Sequence, residues 1–372
     1  LDCMMHGDKH ETVGTGKHSE PASASINWNR AGRRSVLPPA TRRLIPGNLP
    51  RSSAKISKIR PLNVLSSDFR FRAYRCAAEC GFLEAQYNLA TMYYNGVGVE
   101  KKLLEAARWF SLAATQGHIK SQFSIGVMYY HGEGVPQNHK QAVTWFQMAA
   151  EEGHAKAQYS LGAAYFNGEG VPKNIPLAVE WLMLAATQNF PPAQYILGQM
   201  HHEGQGIAQD RQRAANWFRR AAEIGHLEAQ CSLGALYYHG EGVTKSFERA
   251  VLWFRKAAEK GLALAQYNLG RMFHEGEGVA ENHQEALKWY GRAADQGHAD
   301  AQYGLGVMYY QGEGTEPDYA AAYKWMTLAA AQGLAHGVVS RDIVRDQMSL
   351  PEIANATRES SAFFAAPSGV TG

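Results

Sequence analysis

"HHEG", His201 to Gly204, combines imidazole and carboxylate side chains of the types that hold a metal ion. Adjacent residues on a helix point about 100° apart, so His201 and His202 do not converge on one ion. His118, His154, His226 and His298 occupy one recurring slot. They lie at least one repeat apart, too far to share an ion through bonds of ~2 Å. "GEGV" lacks the strand and the Lys-Ser/Thr that a phosphate loop needs. Ser52 and Lys55 match Ser-x-x-Lys, with no folded site expected around them. No nucleophile, base and orienting group recur as a set. The expectation is a chain with no catalytic residue, no metal site and no cofactor, hence not an enzyme.

The elements around these residues follow a clock. Trp recurs at Trp109, Trp145, Trp181, Trp217, Trp253, Trp289 and Trp325, each 36 residues after the last. Gln86, Gln122 and their successors to Gln302 keep the same period, as do Gly96, Gly132 and their successors to Gly312. Such a period marks a repeat architecture, in which each unit buries its apolar face only against the next. Each unit reads as two helices. In the second unit these are residues 119–131 and 139–151. Ala142, Trp145, Phe146, Ala149 and Ala150 form one apolar stripe, with Trp145 and its equivalents expected in the core. Asn138, Asn174, Asp210, Ser246, Asn282 and Asp318 stand where an N-cap is needed, and Lys102 breaks the rule. Gly117, Gly153, Gly225, Gly261, Gly297 and Gly333 end the second helices, with Asn189 as the one substitute. Gly132 and Gly134 fit a sharp reversal of the chain between the two helices. Gly126, inside the first helix, costs ~1 kcal/mol against alanine and implies close approach of a neighbouring helix.

Composition agrees with a globular body: 45% of residues are hydrophobic and 19% charged. Residues 1–65 hold 11 Lys and Arg against four Asp and Glu, so the body, at a net −4, is not basic enough to suggest nucleic acid as its ligand. The tail is rich in Ser, Pro and Arg, without periodicity, and reads as disordered. Its lack of acidic residues from Pro21 to Ser67 is also a feature of organellar transit peptides. No apolar run reaches the ~18–20 residues of a membrane span. Cytoplasmic location and a monomeric state are the expectations, with organellar transit or an upstream start left open. The four cysteines, Cys3, Cys76, Cys80 and Cys231, form no regular framework.

The pattern "AQYxLGxMYYxGEGVPxNxxxAxxWFxxAAxxGH" resembles the Sel-1-like repeat family, relatives of the tetratricopeptide repeats. The resemblance implies an all-α fold: a right-handed α/α superhelical solenoid of helix-turn-helix repeats with a period of 36. It also implies a scaffold for protein assembly. The expected organisation is a tail over 1–65, an N-terminal half-repeat over 66–80, seven repeats over 81–332, capping helices over 333–360 and a second disordered tail over 361–372. Ser349 and Glu352 form a capping box ahead of the last helix, with Pro351 in its first turn. A cysteine-rich secreted branch of the family carries paired cysteines in each repeat and includes hydrolases of β-lactams. This chain lacks the pairs, so that activity is not carried over. Asn355-Ala-Thr357 is a glycosylation sequon, with meaning only for an exported chain.

Repeats allow positions to be compared within one chain. On the first helix, positions 120, 124, 127 and 131 occupy an arc of about 60°. Its residues vary from unit to unit, while the opposite arc stays constant. The expected binding face comprises Lys120, Val127, His131, Lys156, Asn167, Gln199, Glu203, Glu228, His239, Arg271 and Glu275. By resemblance to the tetratricopeptide relatives this face is concave, and it suits an extended segment or a helix of another protein. Aromatic residues such as Phe123, Tyr195 and Tyr267 flank the arc and are read first as packing between repeats. They leave a carbohydrate or cell-wall ligand as the alternative.

Overall fold

The structure, a computed structural model, describes residues 66–365; the tail read over 1–65, Ser52 and Lys55 with it, and the end from 366 lie outside the described residues. The described residues form 17 α-helices and no strand. A single helix, α1 (Ser67–Glu79), comes first. Seven pairs follow: α2 (Leu83–Asn95) with α3 (Leu103–Thr115), α4 (Ile119–His131) with α5 (His139–Glu151), and α6 (Ala155–Asn167) with α7 (Ile175–Thr187). Next come α8 (Pro191–Glu203) with α9 (Arg211–Ile224), α10 (Leu227–His239) with α11 (Phe247–Ala258), and α12 (Ala263–Glu275) with α13 (His283–Asp295). The seventh pair is α14 (Ala299–Gln311) with α15 (Tyr319–Ala331), and α16 (Ala335–Arg345) and α17 (Leu350–Ala365) end the described chain. From α1 to α16 each helix packs on its sequence neighbours, and α17 folds back on α15. The fold is an all-α solenoid.

The ends of the helices are set by the expected residues. Asn138, Asn174, Asp210, Ser246, Asn282 and Asp318 each accept a hydrogen bond from the amide three residues on, whereas Lys102 makes no side-chain cap. The C-terminal slot of the second helix needs a left-handed backbone. Asn189 fills it at φ 59° and is the one non-glycine with positive φ among the described residues.

The recurring Gln ties each repeat to the one before. Gln122 Nε2 donates to the Ala114 carbonyl at the end of α3, and Gln86, Gln158, Gln194, Gln230, Gln266 and Gln302 repeat the bond. The carbonyl already accepts from the amide three residues on, as Ala114 does from Gly117, and the glutamine fills its second lone pair from the next repeat. Its Oε1 accepts from a second Gln 30 residues on, where there is one: Gln116, Gln188, Gln296 and Gln332 serve Gln86, Gln158, Gln266 and Gln302. Positions 152, 224 and 260 are Glu, Ile and Lys, and the Oε1 atoms of Gln122, Gln194 and Gln230 are buried without a hydrogen-bond partner.

Two packing expectations divide. The helical glycine works as read: a Cβ on Gly126 would stand 2.7 Å from the Phe146 ring, so α4 and α5 approach through that gap. The tryptophan does not. Only Trp289 is buried, and the other six are half-exposed. The deep slot is one residue on, at Phe110, Phe146, Leu182, Phe218, Phe254, Tyr290 and Met326. A 100° step separates the two positions on the helix. The smaller side chain points between the paired helices, and the indole lies at the rim, against the core of the repeat before. In the later repeats a cation covers it, as Lys256 Nζ does 4.1 Å above the Trp253 ring.

At the ends, Ser66 caps α1, and Gln86 binds its Ala78 carbonyl as later glutamines bind theirs. Glu352 reaches back to accept from the Ser349 amide and hydroxyl at 2.8 and 2.7 Å, the carboxylate half of the expected capping box, and these bonds hold its carboxyl below the usual range. Helix α17 continues through 361–365, where the sequence reading placed a tail. Phe363 meets Trp325 edge-on, with ring centres 5.9 Å apart, and carries the helix onward. Among the described residues no helix is long and apolar enough to cross a membrane.

Candidate interaction face

The first helices have two unlike sides. On α4, Ser121, Gln122, Ile125, Gly126 and Met128 are buried. Lys120 and His131 on the variable arc are exposed, as are Lys156, Asn167, Glu203, Glu228, His239 and Glu275 in other repeats. Three members of the expected set differ. Val127 is half-buried against the core of its own and the next repeat. Gln199 is half-buried and donates to the Tyr195 hydroxyl at 3.0 Å. Arg271 lies 4.5 Å over the Tyr238 ring of the preceding repeat. These three hold the solenoid as well as border the face.

The aromatic flank is packing between repeats, as the first reading had it. Phe123 lies 4.9 Å from His154, Tyr195 stacks on His226 at 4.9 Å, and Tyr267 stacks on His298 at 4.8 Å. The recurring histidines have a further task that sequence reading missed. They are N-caps of the first helices: His118, His154, His226 and His298 each accept through Nδ1 from the amide three residues on. Burial lowers the pKa of His154, His226 and His298, with Lys156 and Lys120 adding to the effect at His154. The neutral ring is the form that can accept at Nδ1.

A second ladder runs along the loops. Tyr94 donates to Glu133, and Tyr130 to Glu169, each at 2.5 Å. His202 meets Glu241 at 2.9 Å, and His274 meets Glu313 at 2.6 Å. The Glu of "GEGV" is therefore held by the preceding repeat. These bonds raise the phenol pKa of Tyr94 and Tyr130, and burial with the bond to Glu277 pushes Tyr238 up to about 12. The spacing of 39 residues was the signal in the sequence, and it appears only when slots are compared across repeats. Among the described residues, the group able to offer metal ligands together is His274, His283 and Glu313.

A shallow groove of about 570 Å³ lies on the second helix of the first pair, away from the arc, lined by Leu104, Trp109, Leu112 and Val135 among others. Leu112, Met148 and Leu184 share one slot and are exposed in three successive repeats; Arg220, Lys256 and Arg292 replace them in the next three. The stripe lies on the second helices, outside the arc that recurrence marks on the first. Cys76 and Cys80 are exposed free thiols, and Cys231 is buried in the core.

The sequence profile of the Sel1 repeat matches residues 83–118, 119–154, 155–190, 191–226, 227–262, 263–298 and 299–334. The chain belongs to the Sel1 repeat family. A solved protective antigen of uropathogenic Escherichia coli with an SLR fold is 34% identical over 81% of this chain, with a TM-score of 0.75. The chain spans 64% of the length of that antigen. A Sel1 repeat protein from Oxalobacter formigenes is 35% identical, covering 75% of this chain and 80% of its own, with a TM-score of 0.61. A search of curated proteins finds no match. As a Sel1 repeat protein the chain shares a fold whose members typically serve as protein-interaction scaffolds.

Proposed function

We propose that this Sel1 repeat solenoid is a non-catalytic scaffold or adaptor. Its ligand is an extended segment or helix of another protein, laid along the first helices on the face read as concave. The observation that supports it is the split on those helices. The recurring slots of Gln122, Ile125, Gly126 and Met128 are buried in each repeat, whereas the variable slot of His131 stays exposed in register from α4 to α12, joined by Lys120, Lys156 and Glu228, with the 124 and 127 slots half-buried between them. The face is mixed in charge: Lys120 and Lys156 lie toward one end, and Glu228 and Glu275 toward the other. A partner segment with acidic residues at one end and basic residues at the other would fit it.

The test begins with capture of partners on the immobilised full chain, read by mass spectrometry. Alanine at Lys120, Lys156, Glu228 and Glu275 should weaken capture, since losing one central contact can cost 2 kcal/mol or more of binding. The same changes should leave melting nearly unaltered, within ~0.5 kcal/mol each. Alanine at Lys140, Lys256 and Lys288, on the second helices, should leave capture intact. Serine at Leu112, Met148 and Leu184 asks the same of the apolar stripe. If either second-helix set abolishes capture and the arc set does not, the binding face is the outer one and the assignment is wrong.

A further inference from the structure

His274, His283 and Glu313 come together across a repeat boundary. His274 is in the last turn of α12, His283 opens α13, and Glu313 lies in the loop after α14. One ligand atom from each lies within 4.8 Å of the others, and all three residues are half-buried. His274 Nε2 is 2.6 Å from Glu313 Oε2, and the two imidazole centres are 5.3 Å apart. Ligand atoms on a tetrahedral ion with bonds of 2.0–2.1 Å stand roughly 3.3 Å apart. The 2.6 Å contact must open by about 0.7 Å and the wider ones close by up to about 1.5 Å, within reach of side-chain rotation. The backbone that carries the three residues is fixed by helix ends and by the repeat contacts.

The other repeats supply an internal comparison. In repeat 4 the same three slots hold His202, Arg211 and Glu241. There His202 Nε2 is 2.9 Å and Arg211 Nε 3.6 Å from the same Glu241 oxygen. The carboxylate thus has a permanent cation beside it. In repeat 6 the arginine slot is His283, which is not permanently charged, and a second carboxylate, Glu281, approaches it at 2.9 Å. Repeat 6 has exchanged a fixed cation for a second imidazole while keeping the carboxylate. Two imidazoles and a carboxylate make a donor set suited to zinc-class ions, with a position left for water or a partner's side chain.

We propose that His274, His283 and Glu313 bind one divalent transition-metal ion of the zinc class, which bridges the sixth and seventh repeats. The experiment compares the full chain with a variant that borrows its own neighbouring repeat: His274→Tyr with His283→Phe, since Tyr238 and Phe247 occupy those slots in repeat 5. Zn²⁺ uptake is measured by equilibrium dialysis, and Co²⁺ serves as the optical probe of imidazole ligation. The parent should hold one more equivalent of Zn²⁺ than the variant. Zn²⁺ should also raise the melting temperature of the parent and not that of the variant. Metal taken by Cys3, His6, His10 or His18 would be common to both and cancel. Glu313→Gln, which places in repeat 7 the residue found at Gln205, keeps both imidazoles and should weaken uptake by on the order of 10-fold or more. Circular dichroism shows that each protein folds. Equal stoichiometry and equal melting shift in parent and double variant overturn the proposal, as does unchanged affinity in Glu313→Gln.

Discussion

The second glycine of each "GEGV" loop does more than turn the chain, and Gly242→Ala shows how much more. Gly242 has φ +67°, and a Cβ there would stand 2.1 Å from the Arg211 carbonyl oxygen and 2.3 Å from its carbon. Those atoms are backbone of α9 in the preceding repeat, so no side-chain rotation relieves the contact. Gly225 is the control, with φ +101° and nothing within 4 Å of an added Cβ. Alanine at Gly225 meets only the left-handed backbone strain, about 1–2 kcal/mol. Alanine at Gly242 meets that strain plus an overpacked boundary of about 1–3 kcal/mol, for a total of about 2–5 kcal/mol. In a solenoid stability is a sum of repeat and neighbour-interface terms, so the excess should fall on the coupling between repeats 4 and 5. Urea unfolding followed by circular dichroism measures it. The expected result is a larger loss at Gly242 and a broader transition than at Gly225. Equal losses within ~0.5 kcal/mol, with unchanged steepness, would refute the inter-repeat role.

Three further outcomes follow from the same packing. His154, His226 and His298 have lowered pKa values when folded, so the unfolded chain binds more protons, and stability falls as pH drops from the ordinary value of about 6.5 toward the folded ones. Replacing all three with Asn, a cap that does not titrate, should reduce the loss of melting temperature between pH 7.5 and pH 5.5; an unchanged slope would sink the capping account. Phe254→Ala should cost about 3–5 kcal/mol in urea unfolding, and half-exposed Trp253→Ala clearly less; the reverse order would restore the tryptophan to the core. Deleting residues 346–372 uncovers Tyr323 and Met326, which pack near Ala356 and Ile353, and should promote aggregation seen by light scattering more than deleting residues 1–65.

The helix boundaries were legible because they rest on local rules. Asn138 and Asn189 occupy their positions for reasons contained within a few residues of chain. Helices α4 and α5 accordingly span the residues that periodicity assigned them. The Trp error has a different origin. Period and apolarity place position 145 on the inward stripe, but they do not rank it against position 146. That ranking depends on how close α4 comes, and Gly126 sets the distance. Gly126 thereby decides which of the two side chains on α5 faces α4. The face readings lie further from local rules still. Whether Arg271 points to solvent depends on Tyr238 in the repeat before, a contact no single-helix projection contains.

The repeats also show how a solenoid makes room for new chemistry without risk to its fold. The slot of His274 holds Tyr94, Tyr130, Phe166, His202, Tyr238 and Tyr310 elsewhere, and all but Phe166 can hydrogen-bond to a loop carboxylate. The slot of His283 holds Leu103, His139, Ile175, Arg211, Phe247 and Tyr319, so it tolerates almost any bulk. Because each slot varies independently at a fixed backbone position, pairs arise that are 39 residues apart in sequence and adjacent in space. His202 with Arg211 around Glu241 makes an ion-pair cluster; His274 with His283 around Glu313 makes a donor set. Neither pairing alters the buried Gln, Gly and Ala positions on which the stacking depends. Function in such a chain is therefore to be sought where one repeat departs from its neighbours at a slot that the fold leaves free.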